Sequence, residues 1–276
     1  MENQLTHQQR QAFKRIELIS LWEGRSNTTH LMKSLGLGRG TASTLMNEYK
    51  ELCANNLSYN NQNKGYEPTE SFVARYSSGL LDDYLSLELI NAATVQRLGS
   101  SHQHPNPAHV RPIIQAIQRQ QRLDIRYASL TNPEGEERII SPHTLINDGH
   151  RWHVRAWCEK SDDYRDFVLS RIRNVFGYEG VAARSREQDE RWNTQVEFSI
   201  EPDQRFSEAQ KQLIALDYGM TLNTQGKYQR HYQVRGALVM YWFQHLRIDR
   251  YRESPEAQQI ILSPESRIAV QPWLPT

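Results

Sequence analysis

The run Arg151-Trp152-His153-Val154-Arg155-Ala156-Trp157-Cys158 alternates with the period of two that a β-strand requires. Trp152, Val154, Ala156 and Cys158 fall on one face, and the visible tryptophan of the run, Trp152, is assigned with them to packing. His153, Arg155 and Trp157 fall on the other. That second face combines a titratable ring, a guanidinium able to clamp an oxyanion through two parallel hydrogen bonds, and an aromatic plane. The run Asp166-Phe167-Val168-Leu169-Ser170-Arg171-Ile172 reads as another strand and offers Arg171. Two readings of this chemistry stand. One is a solvated sheet face whose arginine stems cover apolar surface; the other is a surface for an anionic or planar ligand.

A second set of polar residues lies near the N-terminus. With Ala42, Leu45, Met46, Tyr49, Leu52 and Cys53 on the apolar stripe of a helix, the opposite face carries Ser43, Thr44, Asn47 and Lys50, and Arg39 and Thr41 open the helix. Short hydrogen-bonding side chains suit base edges, and cations suit phosphates. Ser43, Thr44 and Asn47 are therefore the candidate base readers, with asparagine able to pair bidentately with adenine. Arg39 suits guanine or phosphate, and Thr41, Lys50 and Lys64 suit the backbone. The plainer alternative is the solvated side of an amphipathic helix.

The elements that must hold these groups are written in the spacing of the rest of the chain. Residues 6–22 repeat Ala12, Phe13, Ile16, Ile19 and Trp22 at helical spacing and stop at Gly24. Asn27 or Thr28 caps a second helix with Leu31, Met32 and Leu35, and Gly36-Leu37-Gly38 turns into the third. A polar turn at 60–65 joins two short strands as a hairpin. Three helices and a hairpin make a winged helix-turn-helix over 1–70. Leucine-rich spacing over 71–99 predicts a helical linker, completed to residue 107 by a stretch with two prolines that forbid helix. His102-Gln103-His104 lies in that stretch without further ligands at zinc spacing and reads as linker. A helix over 108–121 and short strands punctuated by Asn132-Pro133-Glu134-Gly135, Asp148-Gly149 and Asp162-Asp163 predict a small bent sheet or barrel over 108–183. After the charged stretch 184–191, strand 195–201, a helix capped by Ser207, strand 228–234 and helix 235–246 predict a small α+β domain over 184–276. The fold class is α+β multidomain.

The 33 Lys plus Arg against 32 Asp plus Glu leave a net charge of +1, so anion binding must come from local patches. Cys53 and Cys158 sit at apolar positions and read as reduced core thiols. With no signal peptide and no apolar run of spanning length, a cytoplasmic protein without a membrane partner is expected. No glycine-rich phosphate loop, nucleophile elbow or metal-nuclease carboxylate set occurs, so no cofactor is expected.

Ile139-Ile140-Ser141-Pro142-His143, then Trp152-His153-Val154, then the run ending Ser170-Arg171-Ile172 resemble, in order, the core of the WYL domain. This is an Sm-like (SH3-like) β-barrel module of bacterial transcription regulators. Behind a winged helix and before an α+β extension, the layout resembles WYL repressors of phage-defence islands, of the BREX- and CBASS-associated kind. The chain departs from the eponymous triplet, with Trp152-His153-Val154 where the name implies Trp-Tyr-Leu. The resemblance implies a homodimer on an inverted-repeat double-stranded DNA operator, with winged helices about 34 Å apart or a multiple of that. It also implies a nucleic-acid or nucleotide effector, held by a basic and aromatic patch. Candidate ligand residues are Tyr127 and Ser129 on one strand face and His153 and Arg155 on another, with His143, Arg171 and Arg173 converging on them. The alternatives are a nuclease or phosphodiesterase using His143, His153 and Arg155, and a WYL accessory protein that binds RNA.

Overall fold

Thr6 opens the first helix because its hydroxyl accepts from the Gln9 N–H at 3.2 Å while the Gln9 amide oxygen accepts from the Thr6 N–H at 2.8 Å. The computed structural model describes residues 5–89 and 105–274. The chain divides into two units, one ending at Leu98 and the other beginning at Gly99.

In the first unit, α1 (His7–Glu23) ends at Gly24, whose φ of 72° is the left-handed conformation of a helix C-cap. Helix α2 (Thr28–Leu35) is capped by the Asn27 side chain, and α3 (Arg39–Leu52) starts after Gly38 without a side-chain cap. The expected stripe of α3 is buried: Ala42, Leu45, Met46 and Tyr49 pack with Ala12, Phe13, Ile16 and Leu31. Leu52, placed on that stripe by spacing, is 40% exposed where the helix ends. Strands β1 (Leu57–Asn60) and β2 (Gly65–Pro68) form the antiparallel wing, and a bridge from Ser26 to Tyr66 gives it a third edge. Gly65 is required there. A Cβ would come within 2.5 Å of the Arg25 side chain and 3.1 Å of the Ser26 carbonyl.

The structure corrects the expected helix over 71–99 at residues 71–80. The only helix in its described part is α4 (Leu81–Leu85), and residues 90–99, like His102 and His104, lie outside the described residues. The physical reason is a competition for backbone N–H groups. Buried Glu17 accepts from the N–H groups of Arg75 and Tyr76 at 2.9 Å each, and Asn56 accepts from that of Val73 at 3.2 Å. Donors spent on buried side chains cannot build an i→i−4 ladder.

In the second unit, α5 (Pro107–Arg119) is followed by five antiparallel strands: β3 (Gln121–Tyr127), β4 (Glu136–Asn147), β5 (Trp152–Cys158), β6 (Asp163–Val168) and β7 (Ile172–Val181). Their order is β6-β5-β4-β3-β7. Neither end strand pairs with the other among the described residues, so the sheet is curled and open and does not close into a barrel. Leu123, Ile125, Ile140, Val154, Ala156, Cys158 and Phe167 pack with Ile113 and Ala116 of α5. Trp152 is corrected from core to surface: it begins β5 and is 43% exposed.

The strand expected over 166–172 is two strands separated by a 3₁₀ turn, Leu169–Arg171. Chain reversal is fixed around the end of β3, where the Tyr127 hydroxyl accepts from the Val168 N–H at 3.2 Å and the Arg171 carbonyl accepts from the Ala128 N–H at 3.0 Å. In β4 the register slips between Pro142 and Thr144, leaving His143 as the extra residue of a bulge. A bulge re-aims a side chain, and here it is His143 that is re-aimed.

Short helix α6 (Glu190–Asn193) leads into the C-terminal part. There β8 (Gln195–Pro202), α7 (Glu208–Asp217), β9 (Thr221–Leu222), β10 (Tyr228–Arg235), α8 (Val239–His245), α9 (Pro255–Gln258), β11 (Ile260–Leu262) and α10 (Pro264–Ala269) follow. The expected β8, α7, β10 and α8 are present, with Ser207 capping α7, and a 3₁₀ turn at Gly236–Leu238 opens α8. The sheet order is β11-β8-β10-β9, over a core of Val196, Phe198, Ile200, Val234, Val239 and Phe243.

Glu17 is also 3.3 Å from the Tyr49 hydroxyl, so Glu17→Leu strands three donors at once. Unsatisfied buried groups cost about 1–3 kcal/mol each, so chemical denaturation should show the first unit destabilised by at least that much and the 71–80 segment newly protease-sensitive.

Candidate functional site

On α3 the four-residue steps from Arg39 to Ser43 to Asn47 set these side chains along one face, and all three are exposed, as are Thr41 and Thr44. Their exposure follows from the buried stripe opposite. The Thr44 hydroxyl donates to the Gly40 carbonyl at 3.2 Å, which leaves its oxygen lone pairs facing solvent. Lys50 differs from the rest. Its ammonium donates to the Tyr66 hydroxyl at 2.9 Å and lies 4.5 Å from that ring's centroid, so it ties α3 to the wing. Lys64 sits at the wing tip, exposed, with a left-handed φ of 47°. Spacing missed Arg25, which braces the wing by donating to the Asn63 carbonyl at 2.5 Å.

The second site grows from β5. Arg155 is only 4% exposed, and each of its three guanidinium nitrogens donates to a carboxylate. Nε and Nη2 donate to the two oxygens of Asp189 at 2.5 and 3.0 Å, and Nη1 donates to Asp166 at 3.1 Å. Asp189 also lies 3.2 Å from His143 Nε2 and caps α6 by accepting from the Trp192 N–H at 3.1 Å. Burial opposes ionisation of Asp189, but the hydrogen bonds from His143 and Arg155 and the charge of Arg155 outweigh it and hold the carboxyl at about 2. Burial likewise opposes the charge on Arg155, and the two carboxylates reverse that effect and raise its pKa.

The network continues into α8. Asp166 accepts from the Tyr241 hydroxyl at 2.9 Å, Tyr241 lies 3.4 Å from His153 Nδ1, and His153 Nε2 lies 2.8 Å from Asp148. Burial, reinforced by Asp166, pushes the Tyr241 phenol up, so it stays a donor at any ordinary pH. Asp148 is held below its usual range despite burial, by the N–H groups of Arg151 and His150 and by His153. In front of this chain lies a cleft of about 700 Å³, with Arg155, Tyr164, Arg165, Arg191, Tyr241 and Trp273 among its walls.

The expected ligand patch therefore divides. His143, His153 and Arg155 belong to one buried network. Tyr127, Ser129 and Arg171 gather around the end of β3, away from this network, whereas His143 meets Arg155 on Asp189. Tyr127 is in the core with its ring 4.9 Å from that of Phe167. Ser129 lies beyond β3, where its hydroxyl pairs with Thr131 and accepts from the Asn132 N–H at 2.9 Å. Arg173 is exposed on β7. The residues that spacing missed are Asp189, read as one charge in the charged stretch 184–191, and Tyr241, read as part of an aromatic helix. An acid directly before a helical turn is the one local signal Asp189 carries.

Three family models match the chain in sequence order. They are the BrxR transcriptional regulator winged helix-turn-helix domain over 8–89, the WYL domain over 108–176, and the BrxR transcriptional regulator C-terminal dimerization domain over 195–268. The "DNA-binding transcriptional repressor CapW" of Pseudomonas aeruginosa is 32% identical over 275 residues, covering 92% of this chain and 90% of that protein. This chain belongs to the BrxR/CapW family. CapW of Escherichia coli (strain KTE188) is 30% identical over 92% of this chain and 90% of its own length, and CapW of Stenotrophomonas maltophilia 26% over 94% and 90%. Within this BrxR/CapW chain, Asp189 and α6 fall between the WYL match and the C-terminal match. The junction that neutralises Arg155 thus lies outside both matched segments.

Breaking a buried pair from one side costs about 3–5 kcal/mol, so Asp189→Ala should lower stability by that order in urea unfolding. The sign of the pH effect follows from the depressed carboxyl. Stability from Asp189 is fully present above its unfolded value near 3.8 and is lost as pH falls toward about 2. That loss amounts to about 2 kcal/mol and should be missing from the acid limb of an Asp189→Asn melting series.

Proposed function

We propose that this chain is a sequence-specific DNA-binding transcriptional repressor that acts as a homodimer and responds to an anionic effector through its WYL domain. The observation that carries the reading is the exposed face of α3, Arg39, Thr41, Ser43, Thr44 and Asn47, in a chain of the BrxR/CapW family. Ser43, Thr44 and Asn47 read base edges, Arg39 reads guanine or phosphate, and Thr41, Lys50 and Lys64 hold the backbone. The operator is an inverted repeat, since two-fold protein symmetry maps onto DNA half-sites. By the same resemblance, the controlled genes are those of a phage-defence island.

Self-association is supported by the matched dimerization domain and by unpartnered leucines on it. Leu213 and Leu216, one turn apart on α7, are 62% and 79% exposed, and Leu222 on β9 is 59% exposed. The effector is a nucleic acid or nucleotide, and the cleft beside Arg155, with its arginines and aromatic walls, supports that class. The domain boundaries are taken as 1–70, 71–107, 108–183 and 184–276, with the last opening on the α6 junction. The WYL sheet reads as an opened Sm-like barrel, supported by the strand order and by the Tyr127 to Val168 bond that draws β3 and β6 together. Membership of a family of DNA-binding transcriptional repressors supports a regulator over a hydrolase using His143, His153 and Arg155. The winged helix argues against an RNA-binding accessory role.

Gel-shift titration on DNA upstream of the protein's own gene tests the reading directly. Asn47→Ala should weaken operator binding by about 1–3 kcal/mol and nonspecific binding far less, whereas Lys64→Ala should weaken both and reduce the salt slope by about one. Equal losses for Asn47→Ala on both DNAs would remove its base-reading role. For the dimer, light scattering on Leu213→Asp/Leu216→Asp should give a monomer with unchanged far-UV circular dichroism, and an intact dimer would move the interface elsewhere.

A further inference from the structure

The two carboxylates on Arg155 are not equivalent. The Asp189 side chain is 1% exposed, bonds Arg155 through both oxygens and caps α6, and it does not line the cleft. The Asp166 side chain is 18% exposed, bonds Arg155 through one oxygen and forms part of the cleft wall. Its other oxygen takes the Tyr241 hydroxyl of α8. A guanidinium offers two donor edges, and here one is fixed from behind while the other is covered from the cleft side.

From this asymmetry we infer that Asp166 is an exchangeable internal ligand, displaced from Arg155 by a phosphate group entering the cleft, while Asp189 remains in place. The inference rests on reading the WYL domain as effector-binding. Charge in the cleft fits the exchange. Arg165 pairs with Asp163 at 3.3 Å, and Arg191 makes no ion pair among the described residues, since its guanidinium donates to the Trp273 carbonyl at 2.5 Å. With Asp189 balancing Arg155, Arg191, held over the Trp273 ring with its guanidinium 5.6 Å from the centroid, is the cation left to meet the second charge of a phosphate, and Tyr164 is the aromatic wall left for a base.

The exchange has a consequence for α8. Once Asp166 turns from Arg155, the bond from Tyr241 must break or move with it, which leaves His153 as the hydroxyl's remaining neighbour and shifts α8 in the C-terminal part. Occupancy of the WYL cleft is thereby reported to the domain matched as a dimerization domain.

The probes are inorganic pyrophosphate and the single-stranded oligonucleotide dT8, titrated calorimetrically into the full-length protein. Removing a competing internal carboxylate raises the fraction of binding-competent protein, so Asp166→Asn should bind dT8 about tenfold more tightly than wild type, and Arg155→Ala should lose binding. Tyr241→Phe should bind dT8 a few-fold more tightly and abolish the effect of dT8 on operator affinity. Tighter binding of dT8 with no gain for pyrophosphate overturns a phosphate as the displacing group, because the exchange acts on any phosphate that reaches Arg155. Equal gains for both probes support it as a phosphate site alone. If Asp166→Asn binds no more tightly than wild type, or Asp189→Asn gives the gain in its place, the exchange is overturned. Should Asp166→Asn fail to fold, Tyr241→Phe carries the same comparison. Absence of probe binding by every variant, with operator binding intact, overturns the inference while leaving the repressor reading standing; loss of wild-type operator binding instead strikes that reading.

Discussion

A guanidinium 4% exposed must be neutralised within the protein, and the second unit is organised around that requirement. Arg155 comes from the middle of β5, where it cannot withdraw to solvent without unpairing β4 or β6. Its countercharges arrive from two directions, Asp166 from the neighbouring strand and Asp189 from the segment that leaves the sheet. The same Asp189 oxygens collect His143, re-aimed by the β4 bulge, and the first turn of α6. One buried charge therefore fixes where the chain goes after β7 and how the C-terminal part begins.

Such a junction trades stability for specificity. Well-packed apolar side chains of similar volume would often hold two domains at least as firmly, because desolvating charges consumes much of their mutual attraction. What apolar packing lacks is a preferred pairing that a competing anion can contest. Arg155, Asp166, Tyr241, His153 and Asp148 form a chain in which each group has a defined donor or acceptor role, and a change at one end leaves a specific group unsatisfied at the next. This is the kind of element that has discrete alternative arrangements, and regulation needs those more than it needs strength.

The first unit shows a related economy of buried polar groups. Glu17 and Asn56 carry no exposed function, yet they decide the path of the chain after the wing by accepting its N–H groups. Leucine spacing over 71–99 argued for a helix, and over 71–80 tertiary acceptors prevailed over local periodicity. On α3 local and tertiary demands agree, which is why its two faces were legible from spacing alone: the stripe through Ala42, Leu45, Met46 and Tyr49 is buried, and Ser43 and Asn47 face water.

Periodicity, caps and turn residues determined much of the element order, the winged helix and the buried run Val154, Ala156 and Cys158 of β5, because each depends on neighbours within a few positions of the chain. They also singled out His153 and Arg155 as unusual. What lay beyond them was the use of that polar face, which spacing left open between solvent and ligand and which the fold fills with its own carboxylates. Asp189 is 34 residues from Arg155 in sequence, and its place before a helical turn signals a cap and not this pairing. Only the returning chain brings the two together. Coulomb attraction in a desolvated site is strong but carries no sequence period, so the pairing belongs to the tertiary structure.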